Sequence, residues 1–268
     1  EIMCRGSNWV PLDAFHSRDA ERYERALSLV RDIGCNMLRC WGGNVYEDHA
    51  FFDFCDRNGI MIWQDFWLAN PVDGPNPYDE AMFIANAEDF VRRMRSHASI
   101  GLYCGRNEGF PPATIDAALR QIVKAEHPGL RYISSSADEV VTGHGPYRAQ
   151  SVKTYFTLEN GRDKFHSERG MPNVMNYESL KRTLKEEDLW PQGDKWGQHD
   201  YTMEGAQGGS SFNAIIAKGF GEPQSAKEFT ELAQWVNYDG YRAMFESRSL
   251  NRKGLLLWMT HPAWPSMV

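Results

Sequence analysis

Two glutamates open the question of chemistry in this sequence. Glu108 ends the stretch 102–108 (LYCGRNE), with Asn107 before it and Gly109 behind it, and Glu168 stands within 164–170 (KFHSERG). A carboxylate and a carboxamide side by side, where a short apolar run ends, suit proton transfer and hydroxyl recognition. Two carboxylates across one concave site can divide the labour. One is protonated and gives its proton to a leaving oxygen, and the other is ionised and attacks or activates water. Their surroundings must push the two pKa values apart. Arg39 beside one carboxylate would keep it anionic, and burial near aromatic rings would keep the other protonated. Trp41, Asp65, Tyr147 and Trp258, with Asn8 and Asp13, complete the candidates, because each stands at or just after the end of an expected strand.

Short buried strands and amphipathic helices must position these residues. Tyr23, Ala26, Leu27, Val30 and Ile33 recur at three- and four-residue spacing before Gly34, which predicts a helix and its stop. Residues 35–41 read as a strand, 47–58 as a helix, 60–66 (IMIWQDF) as a strand and 79–96 as a helix. Residues 100–105 (IGLYCG) read as another strand, a helix follows through Ile115, Ala118, Leu119 and Ile122, and 130–137 closes the regular half. Later, 143–148 (GHGPYR) and 164–170 read as strand ends and 254–259 (GLLLWM) as the last strand; helices fill 173–187 and 224–249 with a loop-rich insertion between. With a first strand beginning at Ile2, the strands number about eight. Strand–helix alternation implies parallel pairing with helices outside. No glycine-rich phosphate motif follows any strand, so the expected fold is a (β/α)₈ barrel, in which the loops after the strands build the site.

Composition narrows the partners. The chain has 268 residues, and 29 basic against 36 acidic side chains leave a formal charge of −7, so nucleic acid and anionic membrane are poor partners. No apolar stretch is long enough to span a bilayer. Five cysteines without a CxxC pair read as free thiols, and no HExxH appears among the eight histidines, which leaves a zinc hydrolase unsupported. No metal or organic cofactor is expected. Aromatic residues make up 13% of the chain, in keeping with a site where ring faces pack on a sugar. Two carboxylates among aromatics at one barrel mouth fit cleavage of a glycosidic bond.

Six stretches in this order resemble the catalytic barrel of glycoside hydrolase family 2: 5–13 (RGSNWVPLD), 36–47 (NMLRCWGGNVYE), 60–66, 105–109 (GRNEG), 164–172 (KFHSERGMP) and 255–266 (LLLWMTHPAWPS). The RCWGGNVYE, WQDF and WMTHPAWPS elements, with 237–247 (NYDGYRAMFES), resemble the β-mannosidase and exo-β-glucosaminidase branch more than the β-galactosidase or β-glucuronidase branches. The resemblance implies a retaining mechanism with Glu108 as acid/base and Glu168 as nucleophile. It further implies Asn107 on the 2-hydroxyl and Arg39 supporting the nucleophile. Trp41, Asp65, Tyr147 and Trp258 are expected, from their place at strand ends, to line the substrate site. Arg106 beside the Asn–Glu pair, Arg169 after the nucleophile and Tyr103 in place of a tryptophan depart from the pattern. The substrate is expected to be an oligosaccharide or glycoside, a β-mannoside or β-glucosaminide. A β-galactosidase, a transglycosidase and a silent glycan-binding barrel are the alternatives. The chain is expected to be one barrel domain over 1–268 that lacks its last helix, flanked by β-sandwich domains in a longer polypeptide. A periplasmic or secreted location is expected over a cytoplasmic one, with the signal region outside this stretch.

Overall fold

The computed structural model describes residues 2–12, 15–157, 164–202, 208–249, 254–262 and 264–267. Among them the first half runs β1 (Arg5–Trp9), α1 (Asp19–Asp32), β2 (Met37–Cys40), α2 (His49–Asn58), β3 (Met61–Asp65), α3 (Glu80–Met94), β4 (Ile100–Arg106), α4 (Ala113–Glu126) and β5 (Arg131–Ser135). The second half runs β6 (Val141–Thr142), α5 (Val152–Thr157), β7 (Phe165–Arg169), α6 (Tyr177–Thr183), α7 (Asp194–Gln198), α8 (Gly209–Phe220), α9 (Ala226–Ser249) and β8 (Leu255–Leu257). The strands form one eight-stranded sheet in the order β5-β4-β3-β2-β1-β8-β7-β6. That is chain order read cyclically. First and last strands lie side by side and parallel, Arg5 opposite Leu255 and Ser7 opposite Leu257. A parallel sheet in cyclic order with intervening helices is the arrangement of a (β/α)₈ barrel, as the sequence predicts.

The chain divides into two compact units. The first comprises Glu1–His144, Lys164–Glu168 and Gly254–His261, and so holds the strands, except Arg169 at the end of β7, and α1 to α4; the second comprises Gly145–Asp163, Arg169–Lys253 and Pro262–Val268 and holds α5 to α9.

Alternation along the strands of the first unit sorts its side chains into two cores. Leu38, Ile62 and Tyr103 join the helix residues Leu27, Val30, Phe51, Phe54, Phe90 and Leu119 in one cluster. Met37, Trp63, Cys104, Ile133, Val141 and Leu256 form the other, the interior plug of the sheet. Fully burying one such phenylalanine stabilises the fold by about 1.5–3 kcal/mol. Arg39 follows Met37 by two residues, and Asp65 follows Trp63 by two. Period-two geometry therefore turns both to the interior at the carboxyl ends of their strands. The helices have clear boundaries. Asp48 caps α2 by accepting from the Ala50 N–H at 3.0 Å, Gly59 ends it at a left-handed φ of 66°, and Asp79 caps α3 by accepting from Met82 N–H at 2.9 Å.

The elements differ from the sequence reading in several places, the unforeseen helix α5 among them. The first strand is Arg5–Trp9 rather than a run from Ile2. Ile33, placed on the buried face of α1, is the helix C-cap and lies 78% exposed. The expected helix over 173–187 is only α6 plus a 3₁₀ turn at Glu186–Asp188. The expected loop-rich insertion contains α7 and α8. Glycines and serines at the ends of α8 (GSSFNAIIAKGF) hide its period, which is carried by just Phe212 and Ile216 on the buried face.

Candidate active site

Arg39 is the hub. Its side chain is fully buried, and its planar fork reaches four strands of the first unit. Nε and Nη2 donate to the two oxygens of Asp65 at 3.2 and 2.6 Å. Nη1 donates to Asn8 Oδ1 at 3.0 Å and to Glu168 Oε1. Nη2 also donates to Asn107 Oδ1 at 2.7 Å. The guanidinium lies 5.5 Å from the centre of the Trp63 ring, within cation–π range. Burial opposes the charge on Arg39, but Asp65 and Glu168 outweigh it and its pKa is raised. A buried cation requires such partners, because an isolated one would cost several kcal/mol.

Each partner is itself fixed. Asp65 is 1% exposed; besides Arg39, its Oδ1 accepts from Trp63 Nε1 at 2.7 Å and its Oδ2 from the Gly42 N–H at 3.0 Å. Asn8 turns its amide NH₂ to the carbonyls of Ser167 and Leu257 at 2.9 and 3.0 Å, which ties β1 to β7 and β8. Ser167 Oγ donates to the Ser136 carbonyl at 2.6 Å and the Thr142 carbonyl at 3.2 Å. The strand residue that precedes Glu168 is thereby anchored, and Glu168 is 3% exposed.

Asn107 and Glu108 follow β4 directly. Asn107 Oδ1 accepts from Arg39, which orients the amide and turns its NH₂ away from the guanidinium. The Asn107 N–H donates to the Leu68 carbonyl at 2.9 Å. Glu108 has φ of 47°, a left-handed backbone rare for such a residue. Its N–H donates to Ser136 Oγ at 2.9 Å, and that hydroxyl donates to Asn107 Oδ1 at 3.3 Å. The Glu108 side chain is 15% exposed; its Oε1 lies 3.1 Å from His144 Nδ1, and its Oε2 accepts from Asn70 Nδ2 at 3.2 Å.

Trp41 and Trp258, both half-buried, meet edge to face with ring centres 5.2 Å apart. Gly42 between Trp41 and Gly43 is required by space, since a Cβ there would lie 2.8 Å from the Leu68 carbonyl and 2.9 Å from the Phe66 carbonyl. The loop after β3 thus packs directly on the segment after β2. Arg106, which crowds the Asn–Glu pair in sequence, is spent on that same loop: Nε donates to the Ala69 carbonyl at 2.8 Å and Nη1 to Asn76 Oδ1 at 2.6 Å. Arg169 belongs to the second unit, where it lies over the Tyr155 ring at 4.9 Å.

Of the residues singled out in the sequence, Asn8, Arg39, Asp65, Asn107 and Glu168 form one bonded cluster, and Glu108 joins it through Ser136. Tyr147 lies in the second unit, and Asp13 lies outside the described residues. Asn70, Ser136 and His144 were missed. Asn70 sits in a proline-rich loop and His144 between two glycines, where no periodicity signals a site. Among the described residues, one group has metal-ligand spacing: Asp53, Asp56 and His97, with ligand atoms within 4.8 Å of one another. It lies on α2 and just past α3, apart from the Arg39 cluster, and hydrogen bonds satisfy it: His97 Nδ1 meets Asp56 at 2.7 Å and His97 Nε2 meets His49 at 2.9 Å. No helix among the described residues is long and apolar enough to cross a membrane.

No family model matches the chain. It is 28% identical to a mannosylglycoprotein endo-β-mannosidase of Lilium longiflorum, over 99% of this chain and 34% of that protein. The crystal structure of a β-D-mannosidase from Dictyoglomus thermophilum superposes with a TM-score of 0.84 at 26% identity, over 99% of this chain and 36% of that one. An exo-chitosanase of Amycolatopsis orientalis shares the fold, with a TM-score of 0.83 at 22% identity over 99% and 35%. The chain spans about a third of the length of each of these three proteins. It is thus homologous to glycoside hydrolases of the β-mannosidase kind, and its fold is shared with an exo-chitosanase.

Proposed function

We propose that these residues are the catalytic barrel of a retaining, exo-acting β-glycosidase of glycoside hydrolase family 2, acting on a β-mannoside or β-glucosaminide. One observation carries the reading. The Arg39 fork joins Asn8, Asp65, Asn107 and Glu168 at the ends of four strands, and Glu108 stands next to Asn107 in a different environment. Glu168 touches a guanidinium, as an anionic nucleophile needs. Glu108 has two neutral-capable neighbours, Asn70 and His144, as a group that gains and loses a proton needs.

In this mechanism Glu168 attacks the anomeric carbon while Glu108 gives its proton to the departing glycosidic oxygen. Water then loses a proton to Glu108 and displaces Glu168, so the anomeric configuration is retained. Asn107 NH₂ donates to the hydroxyl beside the reacting carbon, and Trp41 and Trp258 offer ring faces to the pyranose. Asp65, with its oxygens occupied by Arg39, Trp63 and Gly42, serves as the counter-ion that aims Arg39. The acid, the nucleophile and the hydroxyl contact are all side chains, and the reaction calls for no cofactor. The similarity to a lily endo-β-mannosidase and a bacterial β-D-mannosidase supports a mannoside first.

The test is a panel of p-nitrophenyl β-glycosides (mannoside, glucosaminide, galactoside, glucuronide) on the polypeptide that carries these residues. A 2-deoxy-2-fluoro glycoside with an activated leaving group accompanies it. Turnover of the mannoside or glucosaminide and a covalent sugar on the Glu168 peptide are expected. Label on another carboxylate, or release of the inverted anomer, would overturn the assignment.

A further inference from the structure

The two oxygens of Glu108 are not equivalent. Asn70 Oδ1 accepts the N–H groups of Val72 and Asp73, each at 2.9 Å, so the amide cannot turn over and only its NH₂ faces Glu108 Oε2 at 3.2 Å. An amide NH₂ donates and does not accept. Oε2 is therefore held as an acceptor, and a proton on the carboxyl group belongs on Oε1. His144 Nδ1 lies 3.1 Å from Oε1. In the neutral imidazole with hydrogen on Nε2, Nδ1 accepts.

We propose that His144 is a positioning residue for Glu108: it accepts the Oε1–H hydrogen bond, keeps the acidic proton on that oxygen, and stands beside the leaving group in the aglycone subsite. The proposal rests on the reading of Glu108 as acid/base. In the first step the Oε1 proton passes to the glycosidic oxygen as its bond to carbon breaks and the Glu168–carbon bond forms. In the second step the attacking water returns a proton to Oε1 as its oxygen displaces Glu168. His144 keeps its own Nε2 proton throughout. A leaving oxygen must come within about 2.6–3.2 Å of Oε1 to take its proton, and so arrives beside the ring. The ring is 59% exposed, as a group facing an incoming aglycone would be.

The substitutions leave the fold intact for a physical reason. His144 has φ of 60°, so His144→Gly suits the backbone and removes only the exposed ring. His144→Gln keeps an acceptor oxygen. The experiment measures kcat/KM for wild type, His144→Gly, His144→Gln and Glu108→Ala on β-glycosides whose leaving groups run from dinitrophenol to a second sugar. His144→Gly is expected to match wild type on dinitrophenol and to lose about 10- to 100-fold on the disaccharide, part of the 10²–10⁴-fold that acid catalysis supplies. His144→Gln is expected to recover part of that loss. An equal loss on every leaving group, or none on any, would overturn the role of His144 while a steep Glu108→Ala series upheld the acid. A flat Glu108→Ala series in an active enzyme would reject the acid assignment and this proposal with it.

Discussion

Arg39 is the residue on which the site hangs, and it is fully buried between two carboxylates. Replacing it by methionine would leave Asp65 and Glu168 in the interior without their cation. Breaking a buried pair in this way costs about 3–5 kcal/mol, so Arg39→Met is expected to lower the melting temperature. Its second effect is chemical. If Glu168 is the nucleophile proposed above, Arg39 favours its ionised form, and loss of Arg39 should move the acidic limb of the pH–rate profile to higher pH. A variant with lowered stability and an unmoved acidic limb would make Arg39 a structural ion-pair partner only. Glu47 offers a contrasting case. It is 5% exposed and accepts from Trp9 Nε1 at 2.8 Å and from the Tyr23 hydroxyl. Burial raises its pKa, more than the bonds from Tyr23 and Trp9 lower it. A carboxyl whose folded pKa exceeds its unfolded one favours folding at low pH, and that contribution is lost as pH rises from about 4.5 through the folded value. Glu47→Gln keeps a carbonyl oxygen for Trp9 Nε1, turns its NH₂ toward the Tyr23 hydroxyl, which can accept, and removes the titration. Relative to wild type it should gain stability across that rise, read as a pH series of urea midpoints. Parallel curves for the two proteins would reject the linkage.

At the scale of elements, the loop after β3 does more than connect β3 to α3. It presents Asn70 to Glu108, is held by Arg106, and packs on Gly42. Gly42→Ala would press a methyl against two backbone carbonyls of that loop, a strain of about 1–3 kcal/mol. Lower stability and lower kcat are expected together. Gly101→Ala is the control, because its added Cβ meets nothing nearer than 3.6 Å and should leave both unchanged; equal effects from the two substitutions would deny the loop its role. The same elements show what the sequence could disclose. The helices α1 to α4 were legible because each buries a regular stripe, and Arg39, Asp65 and Asn107 were legible because strands place them at carboxyl ends. β6 has two residues, Val141–Thr142, too few for any period to register. Asn70 and His144 reach Glu108 through loop conformation, an Asx turn in one case and a positive φ in the other. Composition and periodicity carry no trace of either.

At the scale of the whole chain, the net charge of these residues bears on which of the two proposed sugars would be taken. The formal charge is −7, from 29 basic and 36 acidic residues, and the surrounding field therefore favours cations. A glucosaminide oligomer carries protonated amines, whereas a mannoside is neutral. Long-range attraction raises encounter rates and is screened within about 8–10 Å at physiological salt. If the substrate is a glucosaminide oligomer, kcat/KM should fall several-fold as ionic strength rises from about 0.01 to about 0.15 M, a range over which the screening length shrinks from about 30 to about 8 Å. For a mannoside it should stay flat over the same range. The salt series is run at subsaturating substrate, where kcat/KM reports encounter, and kcat at saturation serves as the internal control because chemistry inside a buried cluster is little screened. A glucosaminide whose kcat/KM ignored salt would mean that the acidic surface does not steer substrate. A neutral mannoside that responded as steeply would mean that salt acts on the fold or on the Arg39 cluster itself.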